Sequence, residues 1–314
     1  MTIAYFYPPQ TLVNKDITFF KHLPNINIVH NSCNETVDII YVASVSQLRK
    51  AISAKEQYMK PLICWVWDLP YNSNSEWDLT PIGKTENGNR PNDCIKKANL
   101  LKLCDLVISA SKWTQLVLKE QYNINSEQIY FYIDTDELDS IKCRKKENRI
   151  IQISRFAWNK KFENSIYSCN SIVNYELAMV GIKNSDTYFN YINGLKSKNS
   201  KFHINIPRKK TLELLKSSEI LVSPSVFEGW GISPVESLYC GVPVLISNLP
   251  VFEEVYEDSV MYHDRFDKND MKDKLKHLLS DKQLQSKIVR DGRLKIQDFN
   301  AKRFAEDFYK IIKI

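Results

Sequence analysis

The chain has few glycines and no motif built from cysteine. Only 8 of its 314 residues are Gly, and its seven cysteines are scattered without a Cys-x-x-Cys pair. This spacing disfavours a zinc site and a disulfide framework. Cys64 stands in the apolar run "PLICWVW", which is typical of a small buried hydrophobic residue. We therefore expect free thiols in a reducing cytoplasm.

Long apolar runs are also missing. No run approaches the length of a membrane span, and "MTIAYFYPPQ" lacks the basic segment that opens a signal peptide. These absences predict a cytoplasmic protein, and nothing indicates peripheral membrane contact.

Two ligand-binding signatures are absent as well. The stretch "GNRPND" is not the G-x-G-x-x-G of dinucleotide-binding enzymes, which disfavours a nicotinamide cofactor. Basic and aromatic residues are not interleaved as a nucleic-acid surface requires. The net charge is nonetheless +6, and the excess of basic residues lies in the C-terminal part of the chain, which suits an anionic ligand there.

What the chain does have is a regular alternation of short apolar runs and helical patterns. This alternation predicts parallel sheets with right-handed crossovers. The predicted strands are Ile3–Tyr7, Ile26–Val29, Val37–Val42, Leu62–Trp67, Leu106–Ser109, Gln128–Tyr132, Ile150–Ser154, Glu176–Val180, Phe202–Ile204, Ile220–Val222 and Val244–Ile246.

The basic stretch "KCRKKENR", Lys142–Arg149, is the predicted domain boundary. We expect an α/β protein with two doubly wound Rossmann-like domains, residues 1–141 and 142–298, facing across a ligand cleft. Phe299-Asn300 interrupts the last helical run, so residues 299–314 are predicted to form a helix that crosses back to the first domain.

Two glutamates, Glu228 and Glu236, flank a Gly-Trp-Gly turn in "SEILVSPSVFEGWGISPVESLYCGVPVLIS". One interpretation is structural: Ser233 caps a helix that begins at Pro234, Glu236 closes a capping box, and Gly241 ends the helix. The other is functional, because a glycine-flanked turn before a helix N-terminus presents N–H groups and positive potential to an anion such as phosphate. Both interpretations are open at this point.

A second loop offers cations. Arg155 and Lys160 follow the predicted strand Ile150–Ser154, in "ISRFAWNKKF". In an open α/β sheet, ligands bind at the carboxyl ends of the strands, and Arg and Lys are suited to phosphate oxygens. The two loops are therefore expected to converge on one sheet edge.

These residues resemble a known family. "VFEGWGISPVESLYCGVPVL" is similar to the E-x7-E signature of retaining glycosyltransferases of family 4, which have the GT-B fold, and "ISRFAWNKKF" resembles that family's Gly-Arg-x4-Lys-Gly loop. The segment "LVISASKWTQLVLKEQYNINSEQIYFYIDTDEL" resembles the one that closes the family's first domain.

The resemblance implies transfer of a hexose-type sugar from a UDP- or GDP-sugar to an acceptor hydroxyl, without a metal or other cofactor. Arg155 and Lys160 would hold the diphosphate, Glu228 the donor sugar and Glu236 the ribose hydroxyls. The remaining donor-site residues would be Gly229, Trp230, Gly231 and Ile232. The acceptor would be a glycan, a lipid-linked sugar or a protein.

The chain departs from the family pattern in its first domain. Pro8-Pro9 replaces a Gly-Gly pair, and Trp67 stands where a histidine usually lies, beside Asp68. Asp68 can position the acceptor or the sugar, or can be a structural loop residue. These departures leave a second hypothesis, a non-catalytic nucleotide-sugar-binding protein with a degenerate acceptor site.

One further motif offers an alternative site. Asp134-Thr135-Asp136 resembles the Asp-x-Asp metal motif of the GT-A glycosyltransferase fold. Its context, "YIDTDEL", resembles a family 4 loop instead, so no metal ligands are expected there.

Overall fold

A computed structural model describes residues 1–7, 18–43, 45–67, 91–142, 147–183 and 185–312. Over these residues the strands are β1 (Thr2–Phe6), β2 (Asn27–His30), β3 (Ile39–Val42), β4 (Leu62–Val66), β5 (Leu106–Ser109), β6 (Glu127–Gln128), β7 (Arg149–Ile153), β8 (Glu176–Gly181), β9 (Ser200–Ile204), β10 (Ile220–Ser223), β11 (Val244–Ser247) and β12 (Met261–His263). The α-helices are α1 (Leu48–Tyr58), α2 (Pro91–Leu101), α3 (Lys112–Tyr122), α4 (Thr135–Ser140), α5 (Phe162–Cys169), α6 (Asp186–Leu195), α7 (Arg208–Ser217), α8 (Ile232–Tyr239), α9 (Pro250–Tyr256), α10 (Lys268–Ser280), α11 (Lys282–Ile296) and α12 (Ala301–Ile312).

The described part of the chain forms two parallel sheets of six strands each. The first has the order β2-β1-β3-β4-β5-β6 and the second β12-β11-β10-β7-β8-β9. The central strands are apolar runs with nearly every residue buried, as in β4 and β10, because helices cover both faces of such a sheet. The predicted pair of parallel-sheet, Rossmann-like α/β domains is confirmed.

The last helix of the chain packs in the first compact unit, which otherwise ends at Asp134. The Phe304 and Phe308 rings of α12 lie 4.7 and 5.2 Å from the ring of Phe19, and Phe308 lies 5.1 Å from Tyr41 of β3. These side chains recur at helical spacing on one face of α12, so burying that face stabilises both the helix and the first sheet.

Among the described residues, the second compact unit begins at Thr135, earlier than the predicted boundary after residue 141. Its first element is α4, because the Lys216 ammonium of α7 donates to the carbonyls of Leu138 and Ile141 at 2.6 and 2.8 Å. Leu138 is also fully buried. The basic stretch marks only a change in composition. The boundary lies before α4 because these contacts join α4 to α7, a helix of the second unit.

Two strand predictions need correction. The run Gln128–Tyr132 is strand only at Glu127–Gln128, because the aromatic residues after it turn into the core, where Phe131 stacks on Trp65 at 4.8 Å. The edge strand Met261–His263 has no counterpart among the predicted strands, since three residues are too few to show a periodicity.

Candidate functional site

Two loops meet at the carboxyl edge of the second sheet. β7 and β10 are parallel neighbours, so the loops that follow them leave the sheet side by side. The Val226 amide donates to the Asn159 carbonyl at 2.9 Å, and the Asn159 side chain lies 3.4 Å from the Phe227 carbonyl. The structure therefore brings together the two loops that the sequence singled out.

Lys160 and Glu228 form an ion pair between these loops. The Lys160 Nζ lies 2.6 Å from Glu228 Oε1, and the side chains are only 7% and 18% exposed. Ser225 Oγ donates to the same carboxylate oxygen at 2.8 Å. The weak solvent screening at this depth strengthens the attraction between the two charges.

Lys160 is held in place by its backbone as well. It ends a 3₁₀ turn, Trp158–Lys160, and its carbonyl accepts a 2.7 Å hydrogen bond from Gln152 Nε2. Gln152 is oriented in turn by Ser165, whose hydroxyl donates to Gln152 Oε1 at 2.7 Å. Lys161 then adopts φ +49°, a left-handed conformation that favours glycine. Lys161 thus has the left-handed backbone conformation of the glycine that the family motif has at this position.

Arg155 lies in the same loop but is exposed. Within the described residues its guanidinium makes no ion pair or hydrogen bond. It therefore provides a cation close to Lys160 in the chain that needs no rearrangement to meet an anionic ligand.

The Gly-Trp-Gly turn is shaped by α9. Gly231 has φ +91°, and a Cβ there would lie 2.5 Å from the Phe252 ring, so only glycine fits. The Tyr256 hydroxyl donates to the Gly231 carbonyl at 2.7 Å. Burial, reinforced by the charge of Glu228, raises the pKa of Tyr256, which keeps that hydroxyl protonated as a donor.

The predicted capping box is wrong. Gly231, not Ser233, is the N-cap of α8, and no side chain caps it. Ser233 Oγ donates to the Ile153 carbonyl at 3.0 Å, which ties α8 to the end of β7. Glu236 then stands at the fifth helical position, two residues beyond the third position that a capping box requires. The predicted end of the helix is confirmed, because Gly241 has φ +75° and forms the left-handed turn that follows many helices.

Glu236 is paired with Arg208, a residue that the sequence did not indicate. Arg208 Nη2 and Nη1 donate to the two Glu236 oxygens at 2.6 and 3.0 Å, and Arg208 Nε lies 3.2 Å from Glu137 Oε2. Burial lowers the pKa of Arg208, but the charges of Glu236 and Glu137 outweigh it and raise that pKa above its usual value. In the sequence Arg208 is one of three consecutive basic residues at a helix start, which is typical of a solvated surface.

Comparisons with known proteins identify the family of the chain. Residues 134–295, more than half of the chain, match the family model described as glycosyl transferases group 1. The chain belongs to this family. A curated relative, the O-antigen chain mannosyltransferase RfbU of Salmonella typhimurium, is 25% identical over 184 residues, 57% of this chain and 52% of that protein. This glycosyl transferases group 1 chain thus spans about half the length of the relative that it matches.

Solved structures show that this group 1 chain has the GT-B fold. Anabaena Alr3699/HepE in complex with UDP and glucose superposes with a TM-score of 0.78 at 14% identity, covering 99% of both chains. Sucrose-phosphate synthase from Thermosynechococcus elongatus gives 0.73 at 17% identity, covering 88% of this chain and 73% of that one.

The other predicted site residues lie as follows in the group 1 chain. Gly229 and Trp230 are buried in the turn, and Ile232, half-buried, begins α8. Trp67 packs its ring against those of Trp65 and Phe131, at 5.9 and 5.5 Å. Asp68 and the Pro8-Pro9 pair lie outside the described residues.

The Asp-x-Asp motif lies at a helix start, where Asp136 is in the first turn of α4 and Asp134 just precedes it. Among the residues that the structure describes, no three His, Cys, Asp or Glu side chains are grouped as a metal site would need. Over the same residues, no helix combines the length and apolarity that crossing a bilayer requires.

Proposed function

We propose that the chain is a retaining, metal-independent glycosyltransferase that moves a hexose-type sugar from a UDP- or GDP-sugar to an acceptor hydroxyl. The observation that carries this proposal is the meeting of the two loops, where Lys160 and Glu228 lie 2.6 Å apart in a group 1 glycosyltransferase chain. Similar proteins support it, since a relative is a mannosyltransferase and a protein of the same fold was solved in complex with UDP and glucose.

Each residue of the two loops has a role in this proposal. Arg155 and Lys160 bind the donor diphosphate, and the N-terminus of α8 adds positive potential through the backbone amides of Gly231 and Ile232. Glu228 accepts hydrogen bonds from the sugar, and Glu236 accepts them from the ribose hydroxyls. Gly229 and Trp230 complete the turn that separates the sugar from the phosphates.

The reaction breaks the bond between the sugar C1 and the diphosphate oxygen. The acceptor oxygen bonds to C1 on the same face, and the acceptor proton passes to the departing diphosphate oxygen, so no protein nucleophile is needed. Stabilising the charge on the leaving group is the main task, and preorganised cations perform it. Arg155 and Lys160 take the place of a metal ion, and Asp68 would position the acceptor, which we expect to be a glycan, a lipid-linked sugar or a protein.

A second candidate is a nucleotide-sugar-binding protein without turnover. It is favoured by Trp67, which packs between aromatic rings at the position where the resemblance leads us to expect a histidine. Trp cannot accept or shuttle a proton as His does. In this candidate the donor loops bind a nucleotide sugar, but the acceptor side is degenerate.

A panel of radiolabelled UDP- and GDP-sugars tests the first candidate. We expect the wild type to bind one donor and hydrolyse it slowly without acceptor, with the rate unchanged by EDTA. Lys160→Met should abolish this hydrolysis, because it removes a cation from the diphosphate.

Lys287→Met is the matched control, since Lys287 is an exposed residue paired with Asp291 on α11. Binding without hydrolysis would favour the second candidate. Loss of hydrolysis in EDTA, restored by manganese, would contradict metal independence, and no binding of any donor would contradict both candidates.

A further inference from the structure

Gln152 is a buried polar side chain in the apolar part of β7. It stands between Ile151 and Ile153 and is only 1% exposed. Both ends of its amide are occupied: the Nε2 group donates to the Lys160 carbonyl at 2.7 Å, and the oxygen accepts from the Ser165 hydroxyl of α5 at 2.7 Å. A buried amide is costly unless it is hydrogen-bonded. A fully bonded one therefore favours a single arrangement of the loop around it.

The hydrogen bond from Gln152 acts on the peptide group that joins Lys160 to Lys161. A peptide group is planar, so holding the Lys160 carbonyl also sets the direction of the Lys161 N–H. Lys161 then adopts φ +49°, a left-handed conformation that is strained for a residue other than glycine. A side chain of the preceding strand thus holds the peptide group on which this strained residue depends.

Lys160 is fixed at its other end as well. Its ammonium lies 2.6 Å from Glu228 Oε1, and the two side chains are largely buried. A flexible four-carbon chain separates that ammonium from the backbone, so the ion pair alone would leave the backbone of Lys160 free to turn. The hydrogen bond at the carbonyl and the ion pair at the ammonium together define where the positive charge lies.

We propose that Gln152, oriented by Ser165, is a positioning residue for the nucleotide diphosphate: it holds the strained peptide before Lys161 so that the Lys160 ammonium keeps its place. The inference rests on the proposed function, because it assigns Lys160 to the diphosphate. Gln152 acts through Lys160 and does not itself touch the ligand. A cation that is in place before the ligand arrives needs no reorganisation when it binds.

The first test is the affinity of Gln152→Leu for UDP and GDP, measured by isothermal titration. Leucine fills a similar volume but has no amide, so the Lys160 carbonyl loses its donor and the peptide group can turn. We expect an affinity about three- to tenfold below that of the wild type, the effect of one lost hydrogen bond.

Two further variants show how Gln152 acts. In Lys160→Met, adding Gln152→Leu should weaken nucleotide binding no further, because the cation that Gln152 positions is already absent. Ser165→Ala leaves the Gln152 amide in place but removes the bond that orients it, so it should weaken binding in the same direction by less. Ser165→Ala also keeps the test decisive if Gln152→Leu does not fold.

A change at Lys161 should rescue the loss. In Gln152→Leu/Lys161→Gly we expect an affinity within about twofold of Lys161→Gly alone, because glycine adopts the left-handed conformation without support. Lys161→Ala is the comparison: it also removes the Lys161 ammonium, which lies 3.5 Å from Glu163, but it keeps a Cβ. Gln152→Leu/Lys161→Ala should therefore remain weak. The difference separates the backbone conformation from the loss of the lysine side chain.

Hydrogen exchange followed by mass spectrometry reports on the loop without any ligand. The amides of Lys160, Lys161 and Phe162 are all hydrogen-bonded in the structure. A peptide that spans residues 155–164 should exchange faster in Gln152→Leu than in the wild type. In Gln152→Leu/Lys161→Gly its exchange should return close to that of Lys161→Gly.

Gln285→Leu is the matched control. Gln285 is a buried glutamine of α11 whose Nε2 group donates to the Leu278 carbonyl at 2.8 Å. The same substitution there removes the same kind of hydrogen bond outside the two loops. It should lower the melting temperature but leave nucleotide affinity and the exchange of residues 155–164 as in the wild type.

Three results would overturn the inference. Wild-type affinity and wild-type loop exchange in Gln152→Leu would make Gln152 a core residue only. An equal loss of affinity on adding Gln152→Leu to Lys160→Met would show that Gln152 does not act through Lys160. Equal affinities of the glycine and alanine double variants would remove the role of the left-handed turn. Failure of the wild type to bind either nucleotide would instead contradict the proposed function, and it is distinguishable because the exchange measurement needs no nucleotide.

Discussion

The two cationic side chains of the candidate site, Lys160 and Arg155, differ in burial and in ion pairing. Lys160 is paired with Glu228 and buried, so a ligand must share it with the carboxylate. Arg155 is exposed and has no ion-pair partner within the described residues. A diphosphate would therefore gain most from Arg155, whose planar fork can bind two phosphate oxygens at once.

At the residue scale, Arg155→Ala should weaken UDP or GDP binding by about 1.5–3 kcal/mol, the worth of hydrogen bonds to a charged group. The melting temperature should stay close to that of the wild type, because the side chain is exposed. Titration calorimetry and thermal unfolding measure the two quantities. Unchanged nucleotide affinity in the folded variant would remove Arg155 from the donor site.

The sequence identified the two loops that the structure brings together, because the signal of each loop is local. Lys160 and Glu228 each stand in a recognisable loop, and the structure places them in contact. Ser233 was assigned to a cap because its spacing to Glu236 fits a capping box, but its hydroxyl reaches the end of β7 instead. A spacing rule describes only neighbours along the chain, and a carbonyl from another element was the stronger partner here.

At the scale of elements, the turn before α8 depends on its packing against α9. Gly231 lies where a side chain would collide with Phe252, and its φ of +91° is strained for any other residue. The same contact, with the Tyr256 hydrogen bond to the Gly231 carbonyl, aims the first amides of α8. The N-terminal end of α8, which we propose binds phosphate, is thus shaped by a neighbouring helix rather than by a capping side chain.

Gly231→Ala should therefore lower both stability and nucleotide affinity. We expect a loss of about 1–3 kcal/mol from overpacking, together with weaker binding because the turn must shift. Gly194→Ala is the matched control, since a Cβ at that position in α6 would meet no atom within 4 Å other than its chain neighbours and the backbone of its own helix, and alanine favours a helix there. Chemical denaturation and calorimetry would measure both variants, and equal behaviour of the two would show that the turn tolerates a side chain.

At the scale of the whole molecule, the first unit contains two separate parts of the chain, one before and one after the second unit. The last helix, α12, follows the second unit in sequence but packs in the first, where Phe304 and Phe308 meet Phe19 and Tyr41. The stability of the first unit therefore depends on the final residues of the chain.

Phe308→Ala should destabilise the first unit by about 3–5 kcal/mol, the usual cost of truncating a buried Phe. Hydrogen exchange followed by mass spectrometry should show faster exchange in β1 and β3, with β7 and β10 close to the wild type. Lys302→Ala, at an exposed position of the same helix, is the control and should change neither. Equal loss of protection in both sheets would contradict the assignment of α12 to the first unit.

The sequence by itself determined the strand–helix alternation, the two parallel sheets and the two loops of the candidate site. These features follow from hydrophobic periodicity and from turn residues, which act over a few positions of the chain. Only the tertiary structure decided that α4 belongs to the second unit, that Gly231 caps α8 and that Arg208 pairs with Glu236. Each of these depends on contacts between segments distant in sequence, because a buried carboxylate or carbonyl bonds to whichever donor the fold brings near it, and no local pattern records that donor.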